Sequence, residues 1–185
     1  MCLLPKLIVC LTGMPGAGKS TIAAGLKKKG FSSINMGDAV RAEAKKRNLE
    51  PTSQNLGKLM LELREKNGQG AVAELIKDQI KNSESEVVVI DGIRSNSEID
   101  VLKKIATVKL LSIHASTDKR YNFLSLRKRS DDPQNRKTFD ERDNREISVG
   151  ISTSIALADE TISNNNLTID GLVDTAYKII LKWLK

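Results

Sequence analysis

The chain has 185 residues, of which 39% are hydrophobic and 29% are charged, and its basic side chains exceed its acidic ones by a net charge of +7. This composition is typical of one globular domain and excludes collagen-like, low-complexity and disordered chains. The sequence has no apolar run near the roughly 18 residues that a membrane-spanning helix needs.

The predicted elements alternate between strands and helices. The first apolar run, Leu7 to Leu11, predicts a buried strand; without a basic segment before it, and with a glycine-rich turn after it, it is not typical of a signal peptide. We therefore expect a cytoplasmic α/β protein with a parallel sheet. Strands are predicted at 7–11, 31–35, 87–90, 108–113 and 160–163, and helices at 21–29, 38–47, 51–67, 71–81, 97–105, 118–129, 139–158 and 169–184.

The first strand runs into a phosphate-binding loop. Gly13 to Ser20 matches the pattern G-x-x-x-x-G-K-[ST] at every constrained position, between a predicted strand and a predicted helix. Glycines let backbone N–H groups surround a phosphate, Lys19 can reach the β- and γ-phosphates, and the Ser20 hydroxyl can bind Mg²⁺. The alternative is a glycine-rich turn without a ligand. The predicted nucleotide-binding residues are Gly13, Met14, Pro15, Gly16, Ala17, Gly18, Lys19, Ser20 and Thr21.

A buried strand of four β-branched residues ends at Asp91. An acid at the carboxyl end of such a strand can lie beside the phosphate-binding loop and help to hold Mg²⁺. The alternative for Asp91-Gly92 is a common turn pair without a ligand. We therefore predict Ser20 and Asp91 as the metal-binding pair.

A second anion site is indicated by two arginines. Arg41 follows Gly37 and Asp38, and Arg94 follows Asp91 and Gly92. A guanidinium can clamp a phosphate with two parallel hydrogen bonds. Asp38 could instead cap a helix, and either arginine could lie on the surface.

The basic residues are concentrated between Lys119 and Arg145, where nine basic and five acidic side chains supply +4 of the net +7. Phosphoryl transfer places negative charge on the moving group, which positioned cations stabilise in a site closed to water. We predict Lys19, Arg127, Arg136 and Arg142 as the catalytic cations. The alternative for this stretch is a solvated charged helix.

Other site types find little support. Cys2, Cys10 and His114 are too few for a zinc centre, and Cys10 and His114 are interpreted as structural residues. The six aromatic residues are scattered and form no platform for stacking nucleobases of a single strand. Nucleic acid is therefore a less favoured partner than a small nucleotide.

Taken together, these motifs resemble those of P-loop nucleoside monophosphate kinases, and among them the archaeal adenylate-kinase-related nucleotide kinases. The resemblance covers nearly the whole chain and implies a P-loop NTPase fold with a five-stranded parallel sheet and helices on both faces. It implies one domain over 1–185, a helical acceptor-binding lobe at 38–82 and an arginine-rich lid at 127–145. It further implies that Gly37, Asp38, Arg41, Asp91, Gly92 and Arg94 bind the acceptor.

The implied activity is transfer of the γ-phosphoryl group of ATP, with Mg²⁺, to AMP, by a monomer or a small homo-oligomer. Asp91-Gly92-Ile93-Arg94 is one residue shorter than the Asp-Gly-Phe-Pro-Arg segment usual in adenylate kinases and lacks its proline. Residues 158–165 are similar to a segment of dephospho-CoA kinases, so dephospho-CoA is a rival acceptor. A third possibility is a nucleotide-dependent switch that acts on RNA or a protein partner with little kinase turnover.

Overall fold

The computed structural model describes residues 5–127, 129 and 132–185. Its strands are β1 (Leu7–Thr12), β2 (Ser32–Asn35), β3 (Val87–Asp91), β4 (Thr107–His114) and β5 (Glu160–Ser163). They form one sheet in the order β2-β3-β1-β4-β5, and every neighbouring pair is parallel. The predicted α/β fold with five parallel strands is confirmed.

The helices connect the strands and cover both faces of the sheet. Their bounds are α1 (Lys19–Lys28), α2 (Met36–Lys46), α3 (Ser53–Asn67), α4 (Ala71–Glu74), α5 (Lys77–Lys81), α6 (Asn96–Lys103), α7 (Thr117–Arg127), α8 (Arg136–Ser148), α9 (Ile151–Ala156) and α10 (Ile169–Trp183). Within the described ranges, no helix is both long enough and apolar enough to cross a membrane.

The core consists of two layers, one on each face of the sheet. Successive side chains of a strand point to opposite faces. Ile8 and Cys10 of β1 therefore join a cluster with α2 to α6, whereas Val9 and Leu11 join a cluster with α1 and α10. β1 and β3 are buried along their whole length, which explains why they read as uninterrupted apolar runs.

Two predicted helices are each two helices in the structure. The helix predicted at 71–81 is divided into α4 and α5 by a turn at Leu75 and Ile76, which places the Ile76 side chain in the core. The helix predicted at 139–158 is divided into α8 and α9 at Gly150, whose φ of 98° ends the helical path. α8 also begins before Phe139, because the Asn135 side chain accepts a hydrogen bond from the Thr138 N–H at 2.9 Å and caps the helix.

The segments predicted as lobes occupy different positions. The helices of the 38–82 block share the cluster of buried residues on one face of the sheet, so the block contributes to the main core. The described part of the 127–145 segment contains most of α8 and lies beside the cleft described below. Lys128, Ser130 and Asp131 of that segment lie outside the described residues.

Candidate functional site

A cleft of about 890 Å³ opens at the carboxyl ends of the strands. The loop between β1 and α1 forms its floor, and side chains that follow β3 and α7 line its walls. Open parallel sheets bind ligands at this edge, where the connections of neighbouring strands leave in opposite directions. All the predicted nucleotide-binding residues belong to or directly follow this loop.

At two positions the loop has a backbone conformation and a close packing that only glycine tolerates. Gly13 has a φ of 135°, and a Cβ atom built there would lie 2.2 Å from the Ile113 carbonyl oxygen of β4. Gly16, with a φ of 82°, is also packed against the Arg120 backbone, where a Cβ would lie 2.7 Å from the carbonyl oxygen. The glycines therefore let the loop turn tightly against the ends of the neighbouring elements.

Lys19 lies over the loop that precedes it. Its Nζ donates to the Gly13 carbonyl oxygen at 2.6 Å and to the Met14 carbonyl oxygen at 3.1 Å. Burial lowers the pKa of Lys19 to about 8, although the nearby Asp91 carboxylate acts in the opposite direction. A bound phosphate would favour the protonated amine in the same way as Asp91 does.

Ser20 and Asp91, the predicted metal-binding pair, are in direct contact. The Ser20 hydroxyl donates to Asp91 Oδ2 at 2.8 Å, and the Asn35 side-chain amide donates to the same oxygen at 2.8 Å. Asp91 is only 3% exposed. Mg²⁺ prefers oxygen ligands and usually takes one or two from the protein, the rest coming from water and substrate phosphates. The Ser20 and Asp91 oxygens fit that requirement.

The predicted acceptor arginine Arg94 lines the same cleft. Its Nε donates to Glu146 Oε2 at 2.6 Å, its Nη2 lies 3.5 Å from Glu146 Oε1, and its Nη1 donates to the Gly92 carbonyl oxygen at 3.2 Å. The two charges stabilise one another: Arg94 lowers the pKa of the buried Glu146 carboxyl, and Glu146 raises the pKa of Arg94.

Arg41 lies near the outer rim of the cleft. Its Nη2 donates to Asp38 Oδ1 at 2.5 Å, and the Asp38 side chain is 70% exposed. Gly37 and Arg41 line the cleft and also a smaller adjoining recess, to which Arg94 and Arg142 contribute as well. The predicted acceptor residues Gly37, Arg41 and Arg94 thus surround one region, whereas Asp38 contacts Arg41 from outside it.

The predicted lid arginines do not share one location. Arg127 and Arg142 line the cleft and both contact Asp132, Arg142 at 3.5 Å. The hydrogen bond from Arg127 is the largest influence that holds the pKa of Asp132 below its usual value. Arg136 is outside the cleft lining: it pairs with Asp118 at 3.0 Å and packs over the Phe139 and Tyr121 rings.

Arg120 is a site residue that the sequence reasoning missed. It is 5% exposed, donates to the Pro15 carbonyl oxygen of the loop at 3.0 Å, and pairs with Asp143 of α8 through both terminal nitrogens. Its guanidinium also packs over the Phe139 ring. In the sequence, Arg120 is one of nine basic residues between Lys119 and Arg145, and no local pattern distinguishes it from the others.

Asn35 and Asn164 were also missed. Asn164, after β5, donates from its side-chain amide to the Ala17 carbonyl oxygen at 2.9 Å and supports the loop from below. Asn35 is the last residue of β2, and Asn164 directly follows β5. A position at the carboxyl end of a parallel strand was the sequence signal that could have identified both as site residues.

Cys10 and His114, which were interpreted as structural residues, both lie among the described residues. Cys10 is fully buried in the core, and burial raises the pKa of its thiol. His114 ends β4, and its carbonyl oxygen accepts from the Asn164 N–H at 2.7 Å. Among the ranges 5–127, 129 and 132–185, no group of three or more His, Cys, Asp or Glu side chains could hold a metal ion. Cys2 lies outside those ranges.

Comparisons with known proteins identify relatives of this chain in sequence and in fold. The family model described as "AAA domain" matches residues 12–140. The fold is similar to that of a solved structure titled TT1252 from Thermus thermophilus, with a TM-score of 0.72, 17% identity and coverage of 98% of this chain and 99% of that one. It is also similar to shikimate kinase from Acinetobacter baumannii, with a TM-score of 0.60, 15% identity and coverage of 98% and 95%.

Other proteins are more similar to this chain in sequence than these solved structures are. A UPF0200 protein of Pyrococcus abyssi is 41% identical over 165 residues, which cover 86% of this chain and 88% of that protein. The chain therefore has a phosphate-binding loop in an α/β fold similar to that of shikimate kinase, and it belongs to the UPF0200 family.

Proposed function

We propose that this protein transfers the γ-phosphoryl group of Mg·ATP to a nucleoside monophosphate, with AMP the best candidate. One observation carries the proposal: a single cleft contains a phosphate-binding loop with Ser20 and Asp91 on its floor and the arginines Arg41, Arg94 and Arg142 on its walls. A donor and an acceptor that both carry phosphate would find complementary charge in that space.

The donor would bind along the loop. Backbone N–H groups and the positive end of α1 face the phosphates in such loops, and Lys19 lies where it can exchange the Gly13 and Met14 carbonyls for phosphate oxygens. Ser20 and Asp91 would hold Mg²⁺, which neutralises phosphate charge when bound. Phe123, Ile169 and Val173 line another part of the cleft and provide apolar surface that suits a nucleobase.

The acceptor would be held by Arg41 and Arg94. A phosphate acceptor attacks with an oxygen that is already ionised, so the site needs no general base. The two buried carboxylates of the cleft are already engaged and are not placed as bases. Asp91 accepts hydrogen bonds from Ser20 and Asn35, and Glu146 is paired with Arg94. A hydroxyl acceptor such as dephospho-CoA would need a base to take its proton.

The transferred group would pass between Lys19 and Arg142. The bond from the γ-phosphorus to the bridging oxygen of ADP would break as the bond to the acceptor phosphate oxygen forms, giving ADP and a nucleoside diphosphate. Lys19, Arg127 and Arg142 line the cleft and would stabilise the charge on the equatorial oxygens.

The segment similar to dephospho-CoA kinases does not favour that acceptor. Asp159 Oδ2 accepts from the Leu110 N–H at 2.7 Å, and Asn164 binds the Ala17 carbonyl of the loop. Both contacts are with backbone of the fold, so the similarity at 158–165 concerns support of the sheet and of the loop.

The test is incubation of the purified protein with Mg·ATP and, separately, AMP, CMP, GMP, UMP and dephospho-CoA, with chromatographic identification of products. We expect a nucleoside diphosphate from AMP and none from a Lys19→Met variant. If only dephospho-CoA yields a phosphorylated product, dephospho-CoA would replace AMP as the proposed acceptor. Binding of ATP without any phosphorylated acceptor would contradict the proposal and favour a nucleotide-dependent switch.

A further inference from the structure

Helix α8 carries two acidic residues that each pair with an arginine beside the phosphate-binding loop or in the cleft. Asp143 and Glu146 are three residues apart and therefore lie on the same face of the helix. Asp143 pairs with Arg120 of α7, which follows β4, and Glu146 pairs with Arg94, which follows β3. Since β3 and β4 flank β1 in the sheet, α8 connects the two sides of the phosphate-binding loop.

The pair of Glu146 with Arg94 is buried and directional. Glu146 is 5% exposed and takes the edge of the guanidinium formed by Nε and Nη2, while Nη1 donates to the Gly92 carbonyl oxygen. A guanidinium has five N–H groups. The contacts to the described residues use three of them and leave one on each terminal nitrogen for an anion.

The main chain at Arg94 is fixed independently of Glu146. The Arg94 N–H donates to Glu98 Oε2 at 2.8 Å, and Glu98 Oε1 accepts from Arg64 Nη2 of α3 at 2.9 Å in a fully buried pair. Removal of the Glu146 charge should therefore leave the path of the backbone intact and release only the Arg94 side chain.

We propose that Glu146 is a positioning residue that orients the Arg94 guanidinium for the phosphate group of the acceptor. It acts through Arg94 and does not touch the reacting atoms. The inference rests on the proposed function to the extent that the acceptor carries a phosphate. An arginine without this partner would sample several rotamers, and its ordering would oppose acceptor binding.

The test compares Glu146→Gln, which keeps the shape and removes the charge, with Glu146→Asp, which keeps the charge. Glu141→Gln is the matched control, because Glu141 is an exposed carboxylate on the same helix. We expect Glu146→Gln to weaken AMP binding, measured by calorimetry, about 10-fold to 100-fold, the scale of loss from a misplaced binding group. Binding of a non-hydrolysable ATP analogue should stay near that of the control, and Glu146→Asp should recover part of the affinity for AMP. The midpoint of thermal unfolding should fall in Glu146→Gln, because Arg94 loses its buried counter-charge, so binding is measured at a temperature at which every variant is folded.

A double-mutant cycle separates positioning from a general structural role. If Glu146 acts through Arg94, then Arg94→Gln with Glu146→Gln should bind AMP as weakly as Arg94→Gln alone. Additive losses would overturn the proposal. So would tighter AMP binding by Glu146→Gln, since that result would make Glu146 a competitor of the phosphate for Arg94.

Inorganic phosphate is a second probe that keeps the two proposals distinguishable. If the wild-type protein binds phosphate but phosphorylates no nucleotide, the proposed function fails, and weaker phosphate binding by Glu146→Gln would still support the positioning role. If the wild-type protein binds neither AMP nor phosphate at this site, the positioning role is overturned as well.

Discussion

At the scale of single residues, Lys19 links burial directly to chemistry. Its pKa is lowered to about 8, so the amine is protonated below that pH and loses its charge as the pH rises through it. We therefore expect kcat/KM for ATP, which reports the free enzyme, to fall as the pH rises through about 8.

The control for this pH dependence is Lys19→Arg. An arginine keeps its charge throughout the accessible pH range, so the alkaline decline should disappear even if the overall rate is lower. A wild-type profile that stays constant well above pH 8 would show that Lys19 does not govern the decline.

Gly13 and Gly30 form a matched pair for testing the close packing of the loop. Both have positive φ, but a Cβ at Gly30 would meet nothing within 4 Å, whereas one at Gly13 would overlap the Ile113 carbonyl oxygen. Gly30→Ala should lower the free energy of unfolding by about 1–3 kcal/mol, the usual range for a strained backbone conformation. Gly13→Ala should cost more and should also abolish ATP binding. Equal losses of stability in urea unfolding would contradict the packing argument.

The residues of the phosphate-binding loop, which were predicted from the sequence, belong to one short motif, whereas the site residues that were missed are distant from it along the chain. Lys19, Ser20 and the loop glycines lie within one short motif whose chemistry is local. Asn35, Asn164 and Glu146 reach the site from distant parts of the chain, and Glu146 is separated from Arg94 by 52 positions. Such side chains are brought together only by the order of the strands in the sheet. Their proximity therefore cannot be predicted from a single sequence.

At the scale of elements, α3 is held to α6 by a buried ion pair. Arg64 and Glu98 have side chains that are 2% and 0% exposed and meet at 2.9 Å. Arg64→Ala should lower the free energy of unfolding by about 3–5 kcal/mol, because it leaves a buried carboxylate without its counter-charge.

Lys66→Ala on the same helix is the control for Arg64→Ala. Lys66 pairs with Glu62 at 2.7 Å, but both side chains are exposed, so the loss of stability should be far smaller than that of Arg64→Ala. If urea unfolding gives similar losses for the two variants, the buried pair does not secure α3.

Helix α8 presents two arginines to different surroundings. Arg142 lines the cleft, whereas Arg136 pairs with Asp118 on the outside. We expect Arg142→Ala to lower kcat by about 10²-fold or more, the scale seen when one stabilising donor is removed from a transition state. Arg136→Ala should change kcat little. A larger effect of Arg136→Ala in steady-state kinetics would mean that α8 has a different position during turnover.

Element boundaries show where sequence periodicity is sufficient. Asn135 and Gly150 set the ends of α8 by capping and by a positive φ, signals that were present but weaker than the apparent helical pattern over 139–158. β1 and β3 were predicted closely because a central parallel strand buries both faces and therefore has a distinctive apolar run. The break between α4 and α5 depends on Ile76 entering the core, which is a tertiary effect.

At the scale of the whole molecule, the strand order determines which side chains share the cleft. β1 lies between β3 and β4, so the phosphate-binding loop has Asp91 and Arg94 on one side and Arg120 on the other. The α2 to α5 block packs into the same core as the sheet, which places Arg41 on a rigid base beside the loop. The fold class could be predicted from alternating patterns, but this convergence follows from the three-dimensional connections.

The proposed reaction requires that the cleft bring ATP and a phosphate acceptor into line for transfer. The most direct test is a single-turnover reaction of the wild-type protein with ATP labelled in its γ-phosphate and with AMP, followed by chromatography of the labelled product. We predict that the label appears in ADP formed from AMP, and that Lys19→Met shows no transfer. Label found only in inorganic phosphate, or retained in ATP while both nucleotides are bound, would contradict it.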